Sequence, residues 1–196
     1  MSEDRYQQRQ QQLKERVEER VAAATKTGGI IIVFTGNGKG KSTAAFGTVA
    51  RAVGHGLKVG VIQFIKGTWE NGERNLLEKN GVEFHVMATG FTWNTQDKGA
   101  DIKAAEEAWL EGLRMLADAS FDLVVLDELT YMIPCGYLAL DEILTALKNR
   151  PPHQSVIITG RACHRDITEL ADTVSELRPV KHAFENGIPA QKGIDW

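Results

Sequence analysis

The chain has 196 residues, 42% hydrophobic and 25% charged, with a formal net charge of −3. That length and balance suit one domain with a sizeable core and no need of disulfide or metal staples, and the small charge excludes a global attraction to nucleic acid or acidic lipid, so polyanion binding has to be local to a site. Cys135 and Cys163, without metal spacing, suit a reducing compartment as small buried residues. No apolar run reaches the roughly 18 residues of a membrane span, and the polar first residues do not read as a signal peptide. The expectation is a cytoplasmic protein with no membrane and no nucleic-acid partner.

Residues 1–27, rich in Gln, Glu and Arg, read as an N-terminal helical arm, and 28–196 as the domain itself. Tyr6, Leu13, Val17 and Val21 recur at spacings of seven and four. That stripe suits the domain or a partner subunit, but it is too thin to hold a helix on its own, and a frayed, solvated arm is the alternative.

The stretch from Gly29 to Thr43 organises the rest of the chain. Ile30, Ile31, Ile32, Val33 and Phe34 predict a central strand buried on both faces. Gly36, Asn37, Gly38, Lys39, Gly40, Lys41, Ser42 and Thr43 then read as a phosphate-binding loop. Its glycines free the backbone to point N–H groups inward, and a helix starting near Lys41 adds its positive end. Against the usual G-x-x-x-x-G-K-[ST] spacing the loop is one residue short, with Thr35 where a glycine is asked for. Lys41 is expected to be a solvated lysine that balances charge on a leaving phosphate.

Helix Thr43–Val53, strand Leu57–Ile65, a short helix at Arg74–Lys79 and strand Val82–Met87 come next. Lys66 and Trp69, after the second strand, are either site residues or ordinary loop. Phe91 and Trp93, two apart in the next loop, suit a flat apolar ligand or a hydrophobic plug. Asp101 is expected to cap an amphipathic helix to Ala119, with Ile102, Ala105, Trp109, Leu113 and Leu116 facing the core. Phe121–Leu126 reads as a buried strand ending in Asp127 and Glu128, Leu140–Lys148 as a helix and Ser155–Thr159 as a strand running into Gly160 and Arg161. The tail from Thr173 reads as a possible strand and then mostly loop.

Strands alternating with helices behind a phosphate loop predict an α/β fold, a parallel sheet flanked by helices of P-loop, RecA-like type. Asp127 and Glu128 at a strand end complement the Ser42 hydroxyl as oxygen ligands for Mg²⁺ beside phosphates, with the direct ligand left open between the two carboxylates. A glutamate in this place also suits a water-orienting role, which keeps a RecA-like ATPase or nucleotide-dependent binding module as the alternative. The five histidines show no metal spacing and read as surface or satisfied residues.

Taken together, Thr35-Gly-Asn-Gly-Lys-Gly-Lys-Ser-Thr, Gln63-Phe-Ile-Lys-Gly, Gly90-Phe-Thr-Trp, Val125-Leu-Asp-Glu, Thr159-Gly-Arg, Lys181-His-Ala-Phe, Gly187-Ile and Gln191-Lys-Gly-Ile resemble the P-loop ATP:corrinoid adenosyltransferases from about residue 29 to Trp196. The short loop belongs to that pattern. The resemblance implies transfer of the 5′-deoxyadenosyl group of ATP to cobalt(I) of a corrinoid, release of inorganic triphosphate, and ATP lying in the loop in the reverse of the usual direction. It also implies Lys41 as a catalytic residue, Phe91 and Trp93 against the corrinoid, an electron donor such as a flavodoxin, and a homodimer.

Overall fold

The structure, a computed structural model, describes residues 3–65, 71–87 and 97–196. Lys66, Trp69, Phe91 and Trp93 lie outside the described residues. The arm is one helix, α1 (Glu3–Ala23), exposed from Asp4 onward. Its stripe of Tyr6, Leu13, Val17 and Val21 is uncovered, each residue being more than half exposed.

The apolar runs become strands β1 (Ile31–Thr35), β2 (Val59–Gln63), β3 (Glu83–Val86), β4 (Leu123–Asp127), β5 (Ser155–Thr159) and β6 (Thr173–Glu176). They pair in parallel in the order β3-β2-β4-β5-β1-β6. Every strand therefore brings its C-terminal end to one edge of the sheet, where open α/β sheets form their sites. Parallel neighbours need crossover helices, and these include α2 (Lys41–Gly54), α3 (Gly72–Glu78), α4 (Lys98–Ala117), α5 (Leu140–Asn149) and α6 (Arg165–Leu170). Side chains alternate across the sheet as the strand period of two requires. Val33, Leu126 and Ile158 face the core shared with α4 and α5, while Val61, Val125 and Ile157 pack against Ala45, Phe46 and Val49 of α2.

Two expectations need correction. In the first strand only Ile31 and Val33 are fully buried; Ile32 and Phe34 are half-buried and Ile30 is 43% exposed. The cause is position: β1 lies next to β6, a short, polar edge strand. The cap of α4 is Asp97 and not Asp101, because the Asp97 carboxylate accepts hydrogen bonds from the Gly99 and Ala100 amides at 3.0 and 3.1 Å. Asp101 is instead buried in the first turn, accepting from the Tyr137 hydroxyl at 3.4 Å. The core face of α4 runs through Ala104, Ala105, Ala108, Trp109, Gly112, Met115 and Leu116, leaving Ile102 and Leu113 at its half-buried margin. Trp109 is core as expected, and its indole N–H donates to Glu142 at 3.0 Å.

Candidate active site

β1 ends at Thr35 and α2 begins at Lys41, so the glycine loop sits at the sheet edge with a helix N-terminus behind it. The chain leaving β6 clamps that loop. The Leu177 amide donates to the Thr35 carbonyl at 2.8 Å, and the Gly38 amide donates to the Leu177 carbonyl at 2.7 Å. A Cβ on Gly36 would stand 2.4 Å from the Leu177 oxygen, and one on Gly38 2.7 Å from the Leu177 carbonyl carbon. The glycines are thus required by the close approach of a second backbone as well as by the turn, which at Gly36 has φ of 94°.

Lys41 is not the solvated lysine expected. It is 7% exposed, and its Nζ donates to the Gly36 and Gly38 carbonyls, each at 2.9 Å. These are charge-assisted bonds. The same ammonium that faces the loop interior therefore also sets the loop's curvature.

At the end of β4 the two carboxylates divide. Asp127 is fully buried, with Oδ1 accepting from the Thr159 hydroxyl at 2.7 Å and Oδ2 from the Gln63 amide at 3.1 Å. The Thr159 oxygen in turn accepts from the Glu128 amide at 2.9 Å, which ties three strand ends together. Glu128 adopts a left-handed φ of 63° and leaves the sheet plane into the cavity in front of the loop. Backbone strain of this kind at a non-glycine residue collects at functional sites. Burial, and then the neighbouring Glu128 charge, push the Tyr131 hydroxyl above its ordinary range, with Arg161 acting in the opposite sense.

The cavity is about 220 Å³. Asn37 through Thr43 form its floor, Asn71 and Glu73 one side, and Glu128 and Arg161 the sheet side. The C-terminal tail supplies His182, Ile194 and Asp195. Lys39 is ion-paired with Asp195, whose carboxyl is held below the usual range chiefly by the Lys39 hydrogen bond and then by the Gln191 amide. The arrangement combines a glycine-rich loop, a helix start, the cations Lys39, Lys41 and Arg161, and the carboxylates Glu73, Glu128 and Asp195. A glycine loop, a helix start and cations in one cavity are features suited to phosphate groups.

Residues 27–196 match the family described as ATP:corrinoid adenosyltransferase BtuR/CobO/CobP. The chain belongs to this adenosyltransferase family. It is 69% identical, over the whole length of both chains, to the corrinoid adenosyltransferase CobA of Salmonella typhimurium and to the corrinoid adenosyltransferase of Escherichia coli. It is 48% identical to that of Pseudomonas aeruginosa, across 98% of this chain and 96% of the relative.

Within this adenosyltransferase the loop residues singled out from sequence lie together, with Asn37 to Thr43 on the cavity and Gly36 holding Lys41 from behind. Ser42 and Glu128 share the cavity, whereas Asp127 braces the sheet end beneath it. Sequence reasoning does not single out Asn71, Glu73 or Asp195; Ile194 and His182 enter it only as members of the tail motifs, and His182 is otherwise read as a surface or satisfied residue. His182 is satisfied, its Nδ1 accepting from the Phe184 amide at 3.2 Å, yet it also lines the cavity. The one usable signal for this wall is that the tail motifs belong to the family pattern. The cysteines are free, and burial pushes the Cys163 thiol up to about 11, in keeping with packing and not chemistry.

Proposed function

We infer that this member of the ATP:corrinoid adenosyltransferase family transfers the 5′-deoxyadenosyl group of ATP to cobalt(I) of a corrinoid and releases inorganic triphosphate. The observation that carries the reading is the cavity in front of the shortened loop, lined together by loop residues Asn37 to Thr43, with Lys41 among them, and by Glu128 at the acidic strand end. The cobalt(I) lone pair attacks C5′, the C5′–O bond breaks, and its electron pair leaves on the triphosphate. The nucleophile comes with the substrate, so the protein's task is to hold C5′ in line and to stabilise charge developing on the leaving oxygen. Loop amides and the α2 N-terminus are suited to that charge, and Lys41 holds the loop in the curvature that aims them.

We propose Ser42 and Glu128 as the protein ligands of Mg²⁺, since a hydroxyl and one carboxylate next to phosphates fit its preference for few protein oxygens. When bound, Mg²⁺ would neutralise phosphate charge. Asp127 is assigned a bracing role. Undiminished activity in excess chelator would contradict the metal. Phe91 and Trp93 come after β3 in the chain, and we propose that they pack on the lower corrin face, excluding an axial ligand and water. Unchanged axial ligation in spectra of the bound cobalt(II) corrinoid after replacing either by alanine contradicts this.

Residues 28–196 are proposed as the catalytic unit, which agrees with the span matched by the family. Cobalt(I) has to be made by reduction, so an electron donor such as a flavodoxin is proposed as a partner. A homodimer is proposed from the uncovered α1 stripe, and a monomer mass by sedimentation opposes it. A cytoplasmic location is proposed; no described helix is long and apolar enough to cross a membrane. Product analysis with ATP and reduced corrinoid tests the whole reading. Adenosylated corrinoid and triphosphate in equal amounts are expected, and ADP with phosphate would instead indicate an ATPase.

A further inference from the structure

The cavity carries as many carboxylates as cations: Lys39, Lys41 and Arg161 against Glu73, Glu128 and Asp195. For a site that has to grip a polyphosphate this balance calls for a reason, and Asp195 is a cavity carboxylate to which the reaction gives no role and which binds a loop lysine directly. It lies 156 residues from Lys39 in sequence, and its Oδ1 takes the Lys39 ammonium, with side chains 47% and 25% exposed. A turn fixes it there: Oδ2 accepts from the Gln191 amide at 2.7 Å, and the Asp195 amide donates to the Gln191 carbonyl at 2.8 Å. The two loop lysines are therefore treated differently. Lys41 is bound by the loop's own carbonyls, whereas Lys39 is bound by an anion from the C-terminal tail.

We propose that Asp195 is a positioning residue for Lys39 that opposes polyphosphate at the mouth of the loop, making the tail an electrostatic counterweight that lets triphosphate leave. The proposal rests on the cavity being the triphosphate site. Transfer from C5′ leaves all three phosphates on the leaving group, so the product keeps the loop contacts its phosphates made in the substrate and exposes one more ionisable oxygen. A loop that binds ATP through its phosphates would then hold its product at least as tightly as its substrate. Asp195 counters this in two ways. It occupies a donor of Lys39 that an anion would otherwise take, and its own charge repels the product at short range. The pair is solvent-facing, so its effect is modest and screened by salt.

The test uses the full chain and inorganic triphosphate, titrated by calorimetry at low and high salt. Asp195→Asn keeps the size of the side chain and an acceptor for the Gln191 amide but removes the charge, and Asp195→Glu keeps the charge. Asp195→Asn is expected to bind triphosphate about two- to fivefold tighter than the wild type, the scale of one exposed charge pair, with the gain shrinking as salt rises. Its product-inhibition constant should fall by the same factor, while Asp195→Glu stays within about twofold of the wild type on that same scale. A residue that merely walls the cavity would give weaker binding in Asp195→Asn; weaker or unchanged binding overturns the proposal. If the wild type itself does not bind triphosphate, the site reading fails and the proposal with it, an outcome distinct from the first.

Discussion

The cavity has two walls of unlike construction. The loop wall grows directly from β1 and α2, and its lysine is buried against loop carbonyls. The tail wall arrives from the other end of the chain through the edge strand β6 and is joined to the loop by the Gly38–Leu177 hydrogen bond and a half-exposed ion pair. A buried charge-assisted bond is hard to replace by water, whereas an exposed pair exchanges readily. The difference places grip and release, as proposed above, in different parts of the chain: the loop would fix where phosphates sit, and the tail would adjust how firmly they are held.

The largest expected effect breaks the loop wall. Lys41→Ala should lower turnover by about 10²-fold or more, the scale of deleting one preorganised donor. Because one buried and one partly buried carbonyl lose a charged donor, it should also cost about 1–3 kcal/mol of stability, which urea unfolding would register. Turnover within a few fold of the wild type would contradict the role given to Lys41.

Gly38→Ala attacks the joint between the walls. Its Cβ would meet the Leu177 backbone, which lies in a pathway of hydrogen bonds from Thr35 to Gly38 and cannot yield as a flexible side chain would. Destabilisation of about 1–3 kcal/mol is expected, together with weaker triphosphate binding. Unaltered unfolding and binding would show that the clamp does not matter.

A smaller and more selective effect separates Asp127 from Glu128. Glu128→Gln should raise the Mg²⁺ concentration needed for half-maximal activity while leaving the unfolding midpoint nearly unchanged. Asp127→Asn should do the reverse, losing about 1–3 kcal/mol because a buried acceptor of the Thr159 hydroxyl and the Gln63 amide is altered. Metal titrations and unfolding curves that move together in both variants would undo the division.

The same two walls show how far the sequence can be read. The loop, the parallel sheet and the pair Asp127-Glu128 are legible because each is local: an apolar run, alternating glycines and a strand end are visible within a dozen residues. The start of α4 is misplaced from sequence because Asp97 and Asp101 are equally good caps, and only the amides of Gly99 and Ala100 decide between them. Helix α6, at six residues, is too short to display a period. The burial of Lys41 is illegible because it depends on loop curvature, which Leu177 helps to set from 136 positions away along the chain (177 less 41). Asp195 carries no local signal at all; its meaning comes from the pairing of β6 beside β1, which delivers the tail to the loop.

The most direct test of the central claim, that the loop holds a triphosphate leaving group while C5′ is attacked, is the fate of the oxygen between C5′ and the α-phosphorus. ATP labelled with oxygen-18 at that bridge is given to the enzyme with reduced corrinoid, and the products are separated and weighed by mass spectrometry. The account predicts that all of the label leaves in intact triphosphate and none remains on the adenosyl group. Label retained on the nucleoside, or found in free phosphate, would mean that a phosphorus–oxygen bond breaks and would contradict it.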